Sequence, residues 1–137
     1  MEKNIEVTHT SPEPEEYLAL RAAAGLSPRD LEGARIALRN SIFTVVLRDS
    51  DKRLIGMGRI IGDGGCFYQI VDIAVSPDHQ GKGYSKIIMS EIMNYLDEHA
   101  PKNSYASLIA DVPADRIYRK YGFDYTAPQS VGMYKNY

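Results

Sequence analysis

The spacing of apolar positions changes period several times along this chain, and the changes divide it into elements. Tyr17, Leu18, Arg21 and Ala24 recur at helical spacing after Ser11-Pro12-Glu13-Pro14-Glu15-Glu16. A serine able to cap, a proline suited to the first turn and acids at the positive end predict a helix start there. Gly25 predicts its end. Ser27-Pro28-Arg29-Asp30 repeats the start signal, and Leu31, Ala34 and Leu38 form the apolar stripe of a second helix. Ahead of both, Ile5 to Thr8 predicts a short strand.

From Ile42 the period shortens. Ile42 to Leu47 is apolar and β-branched, which predicts a strand, and Asp49-Ser50-Asp51-Lys52 predicts a turn. Leu54 to Ile61 is a second such run, and Gly62-Asp63-Gly64-Gly65 carries the Asp-Gly pair of a hairpin. Tyr68 to Val75 then returns antiparallel. Tyr84, Ile87, Ile88, Ile92, Tyr95 and Leu96 share one helical face, and the helix runs to about His99, where Ala100-Pro101 ends it. Tyr105 to Ala110 predicts a strand parallel to the one before that helix, reached by a right-handed crossover. Ala114 to Tyr121 predicts a short helix stopped by Gly122, and Val131 to Lys135 a last strand. The expected fold class is α/β, a central mixed sheet flanked by helices, in the order β-α-α-β-β-β-α-β-α-β. Its 137 residues predict a single domain, 1–137.

Composition narrows the function mainly by exclusion. The net charge of -2, from 16 basic and 18 acidic residues well mixed along the chain, argues against a surface that coats nucleic acid. One cysteine, Cys66, allows no internal disulfide and no Cys-rich metal site. His9, His79 and His99 match no zinc spacing, so no metal is expected. The start, Met-Glu-Lys-Asn-Ile-Glu, lacks a basic-then-apolar signal segment, and no apolar run approaches the roughly 18 residues that span a bilayer. The expectation is a cytoplasmic protein without a membrane partner. The apolar-aromatic end (Met133, Tyr134, Tyr137) suggests a homodimer.

The chemistry concentrates in Val75-Ser76-Pro77-Asp78-His79-Gln80-Gly81-Lys82-Gly83-Tyr84-Ser85. A strand stops at Ser-Pro, a glycine-spaced turn follows, and a helix begins. That order leaves free backbone N–H groups at a positive helix end, a site for a phosphate-bearing ligand. Gly81 and Gly83 have no Cβ, so their N–H groups can approach a bulky anion. Lys82 could pair with the anion or face solvent. The stretch is neither a P-loop nor a full dinucleotide fingerprint.

Gln80-Gly81-Lys82-Gly83-Tyr84-Ser85 resembles the Q/R-x-x-G-x-G/A signature of GNAT-type N-acetyltransferases, and Asp72-Ile73-Ala74-Val75-Ser76-Pro77 is similar to that family's central strand. Ile117-Tyr118-Arg119-Lys120-Tyr121-Gly122-Phe123 matches its tyrosine-x-x-x-Gly-Phe segment, so two motifs stand in register between Gln69 and Phe123. The resemblance implies a site for acetyl-CoA (coenzyme A) as co-substrate. Backbone N–H groups of Gly81 to Ser85 would hold the pyrophosphate, with Gln80 in the same loop, and the pantetheine arm would lie along Ile73, Ala74 and Val75 as an added edge strand. That placement requires the two parallel strands to splay. Ser85 stands where the family usually has Gly or Ala. Asp111 stands where many members have an Asn that contacts the cofactor, and being an acid it is expected on the pantetheine side or in solvent.

Acetyl transfer from a thioester to an amine needs a neutral amine, donors for the oxyanion and an acid for the leaving thiolate. Tyr118 is the candidate acid, because a phenol with a reference pKa of about 10 keeps its proton at neutral pH. Spacing alone is better served by core packing on a short amphipathic helix, and it is the resemblance that places Tyr118 by the thioester. Asp72 is the candidate base, directly or through water, because a carboxylate among Ile70, Val71, Ile73 and Ala74 needs a role or a partner. A structural salt bridge, to Arg59 for example, explains it as well. Arg59 could hold a substrate carboxylate or phosphate, or pair with Asp72. Tyr17 and Arg21 lie where the family closes over its acceptor, and packing accounts for them equally. Cys66 has no neighbouring base, which disfavours a covalent route. The expected function is transfer of an acetyl group from acetyl-CoA to a primary amine of a small molecule, or a peptide, by direct attack. The alternative is a non-catalytic CoA-binding sensor or interaction module. A phosphate- or nucleotide-binding domain of another family is the third reading.

Overall fold

The computed structural model describes residues 4–137. The elements are β1 (Glu6–Thr8), α1 (Pro14–Ala23), α2 (Leu31–Arg39), β2 (Phe43–Arg48), β3 (Leu54–Gly62), β4 (Phe67–Val75), a 3-10 turn (Pro77–His79), α3 (Tyr84–His99), β5 (Tyr105–Leu108) and α4 (Asp115–Arg119). The sheet runs β1-β2-β3-β4-β5. Its first four strands are antiparallel, and β4 and β5 are parallel, joined through α3.

Helix α1 is capped by Glu13 rather than by Ser11, because Glu13 and Glu16 form a reciprocal capping box across the first turn. Glu16 also accepts from Arg48 at 2.6 Å, which ties α1 to β2. Helix α2 is capped by Asp30, whose carboxylate accepts from the Gly33 N–H at 2.8 Å. Both helices cover one face of the sheet, where Tyr17, Leu20, Ala34 and Leu38 pack on Met57 and Ala74. The other face is covered by α3, whose Tyr84, Ile88, Met89, Ile92 and Leu96 pack on Val45, Leu47, Ile60 and Ile70. Gly58 lets α3 sit close. A Cβ there would lie 2.7 Å from Ile73 Cδ1, 2.8 Å from Ile88 Cγ2 and 2.9 Å from Ile92 Cδ1.

One irregularity in β4 shapes everything that follows. Met57 pairs with Ala74 and Arg59 with Val71, so Gly58 alone stands opposite both Asp72 and Ile73. Asp72 is the bulged residue, in the left-handed region at φ 59. The bulge resets the alternation: Ile70 packs with the α3 layer, whereas Asp72 faces α1. Past this point β4 and β5 separate. Their pairing ends at Ile70↔Leu108, although β4 continues to Val75. The edge of β4 facing β5 is therefore without a strand partner over residues 71–75, about 16 Å at the usual rise per residue.

The strand expected at Val131–Lys135 does not form. Among the described residues the sheet ends at β5, and the chain from residue 131 onward is irregular. Val131 is 67%, Met133 89% and Tyr134 90% exposed. The alternation in this segment has no core beneath it, so strand pairing would bury nothing on either face.

Candidate functional site

The loop after β4 keeps its backbone donors available. Gly81 and Gly83 adopt φ 79 and φ 83, and nothing lies within 4 Å of where a Cβ would stand on either. Gly83 is the N-cap of α3, so the first turn has no side-chain cap, and it contains no acid. The contrast lies within the molecule: α1 has its capping box with Glu15 and Glu16, and α2 has Asp30 with Glu32. Helix α3 leaves its first-turn N–H groups and its positive end unanswered, which is the electrostatic form of an anion site. Gln80 works from beneath: its Nε2 donates to the Val75 carbonyl at 3.0 Å and fixes the loop to the strand end. His79 Nδ1 lies 2.8 Å from Ser76 Oγ. Ser85 and Lys82 are exposed, whereas the Tyr84 ring is buried in the core. Tyr84 can thus offer a ligand only its backbone N–H.

Where β4 and β5 part there is a cleft of about 220 Å³. Ile73 and Val71 form one wall, Leu108 and Ile109 the other, and Arg21, Asp72, Asp111 and Tyr118 supply its polar groups. The separation expected from the family resemblance is thus present, with a physical cause in the Asp72 bulge. A wider cleft of about 640 Å³ lies between β5 and the C-terminal segment, and Tyr118 lines that one too.

Asp72 is fully engaged. It accepts from Tyr17 Oη at 2.8 Å, from Arg59 Nε at 2.8 Å and from Arg21 Nη1. Its side chain is 5% exposed, those of both arginines 7%. Burial pushes its carboxyl up, and the hydrogen bonds and charges of Arg59, Tyr17 and Arg21 outweigh that, holding it below the ordinary value. Burial and the Asp72 charge raise the Tyr17 phenol in turn. The arginines are occupied elsewhere as well. Arg21 Nη2 donates to the Ser27 carbonyl at 2.8 Å, and Arg59 Nη1 to Ser41 Oγ at 2.8 Å and the Ala37 carbonyl at 3.2 Å. Of the roles open to Arg59 the structure shows the pairing with Asp72: the residue is 6% exposed and directed at Asp72, Ser41 and α2, which turns it away from a substrate anion. Tyr17, 3% exposed, points inward at Asp72, and of the three proposed acceptor residues only Arg21 lines the cleft. The helical spacing of Tyr17 and Arg21 placed them on one face of α1. Their meeting with Asp72 left no signal, and neither did the supporting Ser27, Ala37 and Ser41.

Tyr118 is half-buried on α4 and faces the cleft. Burial first, and the negative charge of Asp111 second, raise its phenol above the ordinary value. It is a protonated donor throughout the neutral range. Asp111 is exposed on the loop between β5 and α4 and lines the same cleft. Cys66 is exposed in the β3–β4 turn, where its N–H donates to Asp63 Oδ1 at 2.8 Å.

Comparison with known proteins agrees with this geometry. The model of the acetyltransferase (GNAT) domain matches residues 22–133. A probable acetyltransferase of unknown function from meticillin-resistant Staphylococcus aureus is 51% identical, with a TM-score of 0.92 over 97% of this chain and 99% of that one. An uncharacterized N-acetyltransferase, ycf52, of Porphyra purpurea is 33% identical over 74% of this chain and 59% of its own length. The chain thus spans about three-fifths of that curated relative. An Escherichia coli GNAT protein solved in complex with CoA shares the fold at a TM-score of 0.66 and 18% identity, over 90% of this chain and 71% of that one. The domain model covers most of the sequence, and the chain belongs to the GNAT acetyltransferase family.

Proposed function

We propose that this protein transfers the acetyl group of acetyl-CoA to a primary amine by direct attack within a ternary complex. The observation that carries the reading is the parting of β4 and β5 after Ile70↔Leu108, which opens a cleft lined by the unpaired strand edge and Tyr118, on the strand that leads into the uncapped start of α3. The residues fit the co-substrate. Backbone N–H groups of Gly81, Lys82, Gly83, Tyr84 and Ser85 suit a pyrophosphate, since no Cβ and no first-turn carboxylate stands against it. The open edge at Ile73, Ala74 and Val75 offers main-chain groups to the amides of a pantetheine arm, in the manner of strand addition. A neighbour crystallised with CoA supports the same co-substrate here.

The reaction assigns each polar group a task. The acceptor ammonium loses a proton to solvent and attacks the thioester carbonyl. A C–N bond forms, the C–S bond breaks, and the Tyr118 phenol gives its proton to the departing sulfur. The second nitrogen proton leaves through water and restores Tyr118. A free N–H on the β4 edge meets the oxyanion. Asp72, held by three donors and low in basicity, is assigned to positioning: it locks the bulge that keeps β4 and β5 apart. Holding both reactants in the groove supplies most of the acceleration.

Two further expectations keep their support. A homodimer would cover exposed Met133, Tyr134 and Tyr137. A cytoplasmic location suits an exposed free thiol at Cys66. Among the described residues no helix is long and apolar enough to cross a membrane.

The test is acetyl-CoA-dependent thiol release over a panel of amines, with Tyr118→Phe alongside and the Cys66 thiol subtracted. Turnover that falls about a hundredfold in Tyr118→Phe supports the reading, within the usual range for losing a general acid. Undiminished turnover removes Tyr118 as the acid. Stabilisation by acetyl-CoA without turnover on any amine supports the binding-module alternative.

A further inference from the structure

We propose that Asp111 is the docking carboxylate for the acceptor, and that the acceptor is a primary alkylammonium with no obligatory anionic group. This rests on the acetyl-transfer reading of the same cleft. Three charged residues line that cleft: Arg21, Asp72 and Asp111. The first two are already answered. Arg21 donates to Asp72 and to the Ser27 carbonyl, and its Nε, which has no partner, is sealed from solvent. Asp72 holds three donors. Asp111 is different. It is exposed, and its carboxylate makes no ion pair or side-chain hydrogen bond among the described residues.

An unanswered carboxylate beside a groove for a polyanionic co-substrate is electrostatically unfavourable until a cation arrives. The acceptor is the reactant that brings one, and Tyr118, the acid of the proposed reaction, lines the same cleft. Leu26, Ile73 and Ile109 provide apolar walls for an alkyl stem. No guanidinium lining the cleft has an accessible donor to spare. A carboxylated or phosphorylated amine would therefore bring its anion next to Asp111 without a partner.

Initial-rate kinetics with n-butylamine, glycine and glucosamine 6-phosphate test this on wild type, Asp111→Asn and Asp111→Glu. The expected result is a preference for n-butylamine over both anionic amines. Asp111→Asn should raise the KM for n-butylamine about tenfold to a hundredfold, the range for losing a hydrogen bond to a charged group, and Asp111→Glu should recover part of it. Thermal stabilisation by acetyl-CoA should persist in Asp111→Glu and should not fall in Asp111→Asn, which carries the amide that family members place against the cofactor; that stabilisation also shows that both variants fold. The inference is overturned if Asp111→Asn leaves that KM unchanged, if it weakens acetyl-CoA instead, or if an anionic amine is the better acceptor. It is overturned as well if n-butylamine is not acetylated while acetyl-CoA still stabilises the protein. Absence of any acetyl-CoA stabilisation in wild type is a different result and removes the underlying reading.

Discussion

Replacing Asp72 by Asn isolates the charge at the centre of the site. Asparagine keeps the volume and tolerates the left-handed conformation that the bulge imposes at φ 59. What it removes is the negative charge between two guanidiniums whose side chains are 7% exposed. Breaking a buried ion pair from one side costs about 3–5 kcal/mol, because the remaining charge is left uncompensated. The amide oxygen can still accept from Tyr17, so the lower end applies, about 3 kcal/mol, or a fall in Tm of about 10 °C for a chain of this length. Denaturant unfolding of wild type, Asp72→Asn, Arg21→Met and the double variant measures it. Arg21→Met should cost less in the Asn background than in wild type, with a coupling of about 1 kcal/mol or more. The pH dependence has a definite sign. The folded carboxyl sits below its ordinary value, so its contribution is complete above the unfolded pKa of about 3.9 and is lost as pH falls through the folded value. Wild type should lose stability faster than Asp72→Asn below about pH 4. A loss under about 1 kcal/mol, or identical acid slopes, would refute the reasoning.

Three other outcomes follow from the same geometry. Gly58→Ala puts a methyl against Ile73, Ile88 and Ile92 at once, one contact being the stiff Cγ2 of Ile88, and should destabilise the fold by about 1–2 kcal/mol in urea. Ser85→Glu should act in opposite directions on two measurements. The acid answers the bare N-terminus of α3 and raises the Tm of the free protein slightly, by about 0.3–1 kcal/mol of stability, while it weakens acetyl-CoA binding in calorimetry. The alkaline limb of kcat, set by loss of the Tyr118 proton, should move to lower pH in Asp111→Asn, because the variant removes one of the two influences that raise that phenol.

The sequence made the fold legible wherever one local signal governed an element. The Asp-Gly turn at Asp63, the apolar face of α3 and the Gly81–Gly83 spacing each announced themselves, and β2, β3, β4 and α3 lie within a residue or so of where the pattern placed them. The capping residue of α1 was misplaced because two Pro-Glu steps follow Ser11, and the reciprocal bonds of Glu13 and Glu16 decide between them. The last strand failed because alternation at Val131–Lys135 says nothing about whether a surface is there to receive it. In the site, the loop was legible because it is contiguous. The Asp72–Arg59 salt bridge was legible as one explanation of a carboxylate in an apolar strand, but the joining of Tyr17 and Arg21 to it was not, since they lie 55 and 51 positions from Asp72 and meet it through a bulge at a non-glycine residue.

Amide hydrogen exchange with and without acetyl-CoA tests the central claim most directly. The account predicts slowed exchange confined to two stretches, the unpaired β4 edge over residues 71–75 and the loop and first turn over residues 81–86. Protection elsewhere, or at neither stretch despite saturating acetyl-CoA, would contradict it.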